Sequence, residues 1–215
     1  MKTLWIAALA FWLSLMSWAP FLDAQEGKVP AQELRSGGYV ILVRHATTPE
    51  SVLPREQRDS EPSPLDLSKC EVQFNLTEQG REEARAIGAG VRRLGIPVGR
   101  VVISPYCRTL ETARLAFGRV DELSGDLLRR NYVPGPGAPV PPSWEQRIAT
   151  LRLLLATAPA GGTNTALVTH GDNVRGAVGF EIATAEAAIF KPDGRGGFAL
   201  VARVLPKAWL VQPGP

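Results

Sequence analysis

Only two residues of the chain are histidine, His45 and His170, and both stand in segments suited to handling an anion. His45 follows Arg44 directly, and a further arginine, Arg108, sits in Ser104-Pro105-Tyr106-Cys107-Arg108-Thr109. An arginine fork matches phosphate oxygens two at a time and keeps its charge at any working pH. Arg44 and Arg108 can therefore hold a phosphoryl group and neutralise charge in its transition state. A neutral imidazole with a free ring nitrogen is a nucleophile at phosphorus, giving a covalent intermediate that water then cleaves. With two histidines and two cysteines, Cys70 and Cys107, a site built on several imidazoles or thiolates is nearly excluded, and neither a metal nor another cofactor is expected. A thiol-dependent phosphatase would need an arginine six positions after its nucleophile. Leu76 and Ala113 occupy those places.

These polar residues share one position relative to the elements that must carry them. Tyr39 to Val43 is an unbroken apolar run, as in a strand covered on both faces, and it stops at Arg44-His45. Val101-Val102-Ile103 is a second short strand, closed by Ser104-Pro105. Thr165 to Val168 is a third, ending at Thr169-His170-Gly171. Between them the spacing predicts a helix from Thr77, an N-cap, to Gly95, with Ala84, Ile87, Val91 and Leu94 on its apolar face and Arg81, Glu82, Arg85 and Arg92 on a solvated one. A second helix carries Leu110, Ala113 and Phe117. A third opens with a capping box at Ser143 and Gln146 and buries Ile148, Leu151, Leu154 and Leu155. Ala187–Phe190 and Phe198–Val204 flank the turn sequence Pro192 to Gly197 and read as a hairpin. Alternating strands and helices predict one three-layer α/β domain, its sheet mainly parallel with an antiparallel edge and helices on both faces. In such sheets ligands bind beyond the carboxyl ends of the strands, where both histidines fall. The stretches Ala46–Phe74 and Val133–Pro142 show no period and read as long loops, the first suited to a lid or a binding loop.

The chain has 215 residues, of which 45% are hydrophobic and 21% charged, with a net charge of +3. That small excess is spread along the sequence without an aromatic-basic ribbon, so no nucleic-acid partner is expected. Met1-Lys2-Thr3, the apolar run Leu4 to Trp18 and the shift to polar residues at Asp23-Ala24-Gln25 describe a secretory signal peptide over residues 1–24, with cleavage near Ala24. An uncleaved N-terminal anchor is the other reading, although the run is short for a membrane span. Residues 25–215 then form a single domain, periplasmic or secreted, without stable membrane insertion. In an oxidising compartment Cys70 and Cys107 most simply pair as a disulfide; two buried free thiols are the alternative.

Three motifs carry a family resemblance. Arg44-His45-Ala46-Thr47-Thr48 is similar to the Arg-His-x-x-Thr signature of the histidine phosphatase superfamily, branch 1, which has the phosphoglycerate-mutase-like fold. Ser104 to Thr109 with Glu111-Thr112-Ala113 resembles the second motif of that family, and Val168-Thr169-His170-Gly171 the third. Asn75-Leu76-Thr77-Glu78-Gln79-Gly80 fits the usual start of its first helix, and the similarity runs from Tyr39 to Val204. The resemblance implies that His45 accepts the phosphate, that Arg44, Arg108 and His170 surround it, and that Thr48 bonds near the nucleophile. Exported members with a Cys before the second-motif Arg look most similar.

Two departures bear on mechanism. Cleavage of a phosphomonoester needs a general acid for the leaving oxygen, which the resemblance places some twenty residues beyond the second motif. Gly125 to Asn131 contains no Glu there, leaving Asp172, Asp126 and Glu122 as candidates. Failing these, a good leaving group, as in a phosphoramidate or acyl phosphate, would need little protonation. Phe74 stands where a basic residue often precedes the Asn-Leu-Thr turn. The expected function is an exported, metal-independent phosphatase acting on a phosphorylated small molecule, glycan or protein. The alternatives are a non-catalytic phosphate- or phosphoglycan-binding domain and, less favoured, a phosphomutase.

Overall fold

The structure, a computed structural model, describes residues 25–54, 61 and 63–211. The signal peptide expected over residues 1–24 lies outside the described residues. The elements in chain order are β1 (Gln25–Glu26), α1 (Ala31–Ser36), β2 (Val40–Arg44), α2 (Glu78–Arg93), β3 (Val98–Ile103), α3 (Cys107–Phe117), β4 (Glu122–Leu123), α4 (Trp144–Ala156), β5 (Asn164–Thr169), α5 (Gly171–Val178), β6 (Ala187–Pro192) and β7 (Phe198–Val204). The sheet runs in the order β1-β7-β6-β2-β5-β3-β4. Pairing is parallel from β2 through β5 and β3 to β4, and antiparallel where β6 meets β2 and β7. The hairpin predicted around Pro192 to Gly197 is therefore β6–β7. It is not quite the edge, because the short β1 adds to β7 in parallel.

The apolar run in β2 follows from its central place in the sheet. Successive strand residues point to opposite faces, and both faces are covered. Ile41 and Val43 join Val101, Ile103, Ala166 and Val168 beneath Ala84, Ile87 and Val91 of α2 and Ala113 and Ala116 of α3. Val40 and Leu42 join Val102 and Leu167 beneath Leu151 and Leu155 of α4 and Val174 and Ala177 of α5. This is the expected three-layer α/β architecture. Trp209, fully buried in a short 3-10 turn at Pro206–Leu210, closes the first layer against α2.

Both helix starts read from the sequence are built as caps. The Thr77 hydroxyl accepts the Gly80 N–H at 3.1 Å, satisfying one of the donors a helix start leaves open. At α4 the Ser143 hydroxyl accepts from the Gln146 N–H while the Gln146 side chain accepts from the Ser143 N–H. The loop after β2 contains 3-10 turns at Pro49–Val52 and Cys70–Val72, and at Leu65 it forms a bridge to Pro134 in the other long loop. Cys70 and Cys107 form a disulfide with Cα atoms 5.7 Å apart. The adjacent Gln73 reinforces the link, its Oε1 accepting from the Cys107 N–H at 2.9 Å. The loop is thus fastened to the start of α3, one residue from Arg108. Among the described residues no helix is long and apolar enough to cross a membrane.

Candidate active site

The carboxyl ends of β2, β3 and β5 meet at one cavity of about 840 Å³, whose wall includes Arg44, His45, Tyr106, Arg108, Arg129 and His170. The rings of His45 and His170 lie 5.3 Å apart, and Tyr106 packs edge-on against His170 at 4.7 Å. His45 is 6% exposed and His170 2%. The Nδ1 of His45 lies 2.9 Å from the carbonyl oxygen of Ala46. A carbonyl can only accept, so Nδ1 carries the hydrogen and Nε2 of the neutral ring keeps its lone pair. Burial, together with the positive charge of Arg108 and then of Arg44 and Arg129, holds His45 well below its ordinary 6.5, against the opposing pull of the Ala46 bond. Burial and Arg108 do the same to His170, whose Nε2 is 2.9 Å from the Ser104 hydroxyl. Both imidazoles are therefore neutral at pH 7, the state a nucleophile requires.

The turn that carries His45 is fixed by helices on its far side. Thr112 of α3 accepts the Ala46 N–H at 3.0 Å, and Glu83 of α2 takes both the N–H and the hydroxyl of Thr47 at 3.1 and 3.0 Å. The α2 backbone comes so near that a Cβ on Gly80 would stand 2.2 Å from the Thr47 carbonyl oxygen, so only glycine fits. At the start of α5 the Arg44 side chain lies against Gly171, where a Cβ would be 3.3 Å from its Nε, and Arg44 Nη1 donates to Ile182 O at 3.0 Å.

Arg108 is 1% exposed, with its guanidinium 4.2 Å from the centre of the Tyr106 ring. Arg129 joins it in the cavity wall and was not singled out from the sequence. It lies in the stretch searched for an acid, where no motif marks an arginine. Its segment is held by three side chains. Arg147 donates to the carbonyls of Leu128, Arg129 and Arg130, Asn173 donates to Leu128 O, and Asp172 accepts the Arg130 N–H at 2.7 Å.

The acid candidates separate clearly. Asp172 lines the cavity, but its other oxygen accepts the Asn173 N–H at 3.1 Å, so both carboxylate oxygens are engaged in fixing backbone. Glu122 is exposed on the edge strand β4, 2.5 Å from Arg100, and Asp126 sits in a 3-10 turn; neither lines the cavity. Thr48 also stays outside it. The chain enters the 3-10 turn at Pro49 immediately after it, Thr48 is fully buried, and its N–H is taken by Ser51 Oγ at 2.8 Å.

A buried neutral histidine with a free Nε2 thus stands inside a ring of arginines at the carboxyl edge of a doubly covered α/β sheet, an arrangement suited to holding an oxyanion. The model of the histidine phosphatase superfamily (branch 1) matches residues 40–130, so this stretch of the chain is similar to that superfamily. Its order of strands and motifs is that of the phosphoglycerate-mutase-like fold expected from the sequence. The chain is 29% identical over 108 residues to the mitochondrial serine/threonine-protein phosphatase Pgam5 of Drosophila virilis, covering 50% of this chain and 32% of that protein. It is 30% identical over 103 residues to the Pgam5 of Drosophila persimilis, covering 46% and 35%. It thus spans about a third of the length of these curated relatives. Among solved structures, the product of the open reading frame Rv3214 from Mycobacterium tuberculosis superposes with a TM-score of 0.54 at 22% identity, over 79% of this chain and 97% of that one. A phosphoserine phosphatase from Entamoeba histolytica in complex with phosphoserine gives 0.53 at 15% identity, over 79% and 98%. These two share the fold.

Proposed function

We propose that the chain is an exported phosphatase that hydrolyses a phosphate ester or phosphoramidate through a phosphohistidine formed on His45. The observation that carries this reading is the state of His45: neutral, buried, with Nδ1–H spent on the Ala46 carbonyl and Nε2 left to attack. In the first step a bond forms from Nε2 to phosphorus, and the bond from phosphorus to the leaving oxygen or nitrogen breaks. In the second, water attacks the phosphoryl group and restores the imidazole. Arg44, Arg108 and Arg129 balance the charge on the phosphoryl oxygens, and His170 packs beside the nucleophile. Since both oxygens of Asp172 hold backbone N–H groups, substrates with good leaving groups, such as phosphoramidates and acyl phosphates, suit the site best.

Export is supported by the apolar N-terminal run and by the Cys70–Cys107 disulfide, a bond that persists in oxidising compartments. The periplasm or the medium is the proposed location, and a phosphorylated small molecule, glycan or protein the proposed partner. The test is turnover of an aryl phosphate by the mature protein with and without chelator, beside His45→Ala. Turnover that is indifferent to chelator and lost in the variant supports a phosphatase. Tight phosphate binding without turnover would make the chain a binding domain, and transfer to an added hydroxyl a mutase.

A further inference from the structure

The arginines of the cavity already hold an anion belonging to the protein. Glu61, with a side chain only 6% exposed, places its Oε1 2.6 Å from Arg108 Nη1 and its Oε2 3.2 Å from Arg108 Nη2. Oε2 also accepts from Arg129 Nη1 at 3.0 Å, and Oε1 from the Phe74 N–H at 3.2 Å. The two-nitrogen grip on Arg108 is the one a guanidinium uses for phosphate. Because Arg108 is 1% exposed, a phosphoryl group gains that pair of nitrogens only by displacing the carboxylate.

We propose that Glu61 is a built-in competitor for anions: its tethered carboxylate holds the oxyanion place on Arg108 and Arg129, and a phosphate-like ligand must displace it to bind there. This rests on the reading of the cavity as a phosphate site. A ligand of charge −1, such as a sulfate monoester or a phosphodiester, replaces one negative charge by an equal one. It gains nothing from the arginines and competes with a group whose attachment to the chain gives it a high effective concentration. A phosphate monoester above its second ionisation, near pH ~6, carries two charges and draws extra attraction from Arg108, Arg129 and Arg44. Glu61 thus weakens every anion that needs this place by one common factor, and at low concentration only ligands whose own attraction outweighs that of the carboxylate bind, dianions before monoanions. The Phe74 N–H, donating to Glu61 Oε1, also ties a second point of the loop between β2 and α2 to the site.

The test uses two inhibitors of the same shape that cannot be hydrolysed, benzenephosphonate (charge −2 at pH 8.5) and benzenesulfonate (charge −1). Their binding to the mature protein, Glu61→Gln and Glu61→Ala is measured by calorimetry at pH 8.5, with thermal unfolding to show that each variant is folded. The wild type should prefer the phosphonate strongly. Both variants should bind both ligands roughly tenfold tighter or more, as loss of a charge-assisted competitor requires. Unchanged affinity for both ligands in the folded variants, or failure of the wild type to bind the phosphonate, overturns the proposal. So does weaker binding of both ligands in the variants, which would make Glu61 a part of the binding site. None of these readings needs turnover, so they stand apart from the His45→Ala assay that decides whether the protein is a phosphatase.

Discussion

Replacing Gly80 by alanine separates folding from catalysis at this site. The new Cβ would stand 2.2 Å from the Thr47 carbonyl oxygen, 2.9 Å from its nitrogen and 3.0 Å from its carbonyl carbon. Cβ atoms do not approach closer than 3.0 Å, so α2 and the turn after His45 must part by at least ~0.8 Å, against backbone that has no flexible end to give. Overpacking of this kind costs about 1–3 kcal/mol, and alanine returns up to about 1 kcal/mol through its helix preference. The net change in stability is therefore at most about 3 kcal/mol. Misplacing a nucleophile by about 1 Å costs on the order of 100-fold in rate, so kcat/KM on an aryl phosphate should fall by about two decades while the protein stays folded. Gly88→Ala is the control, since its Cβ would meet Leu115 O at 2.5 Å, at the contact with α3 and away from Thr47. It should lose comparable stability and retain kcat/KM within about threefold. Wild-type kcat/KM in folded Gly80→Ala, or equal losses in both variants, would refute the argument that this glycine sets the position of His45.

The remaining predictions concern the disulfide, the histidines and Asp172. Removing the Cys70–Cys107 bond releases a loop spanning 37 residues, which on chain entropy costs about 4 kcal/mol and lowers Tm by roughly 10 °C; calorimetry of a Cys70→Ser, Cys107→Ser variant checks this, and a fall under about 2 °C would contradict it. Because burial keeps His45 and His170 neutral in the fold while the unfolded chain takes up protons near pH ~6.5, the unfolded state binds more protons below that pH. Stability should hold above pH ~6.5 and decline as the pH falls further, and the chain's two histidine ring signals in NMR should show no midpoint near 6.5. Asp172→Asn should weaken phosphate binding by loosening the Arg129–Arg130 segment, and should slow good and poor leaving groups alike; a loss confined to poor leaving groups would instead make Asp172 the general acid.

The parts of the fold legible in the sequence are those with local causes. The unbroken run of β2 reflects burial on both faces, and the Thr77 and Ser143 caps satisfy donors within three residues. Both histidines were legible because each directly follows a strand, and Arg108 because it stands at the start of the helix that follows β3. What escaped has causes far away in the chain. The strands β1 and β4, two residues each, exist only because β7 and β3 offer them an edge. The helix α5 is short, and its Gly176 reads as a breaker, yet a Cβ there would lie 2.7 Å from Ile148 of α4, so the glycine permits close packing. Arg129 and Glu61 sit in aperiodic segments and reach the cavity only through tertiary folding. Thr48 fits its motif, yet the turn that begins at Pro49 keeps it out of the cavity wall.

The central claim, that His45 Nε2 takes the phosphoryl group, is tested most directly by trapping the intermediate. The protein mixed with an aryl phosphate and quenched in alkaline denaturant, which preserves phosphohistidine, should show one added phosphoryl group per chain by intact mass. Peptide mapping should place it on His45. Phosphate found on another residue, or turnover that persists in His45→Ala, would contradict the account.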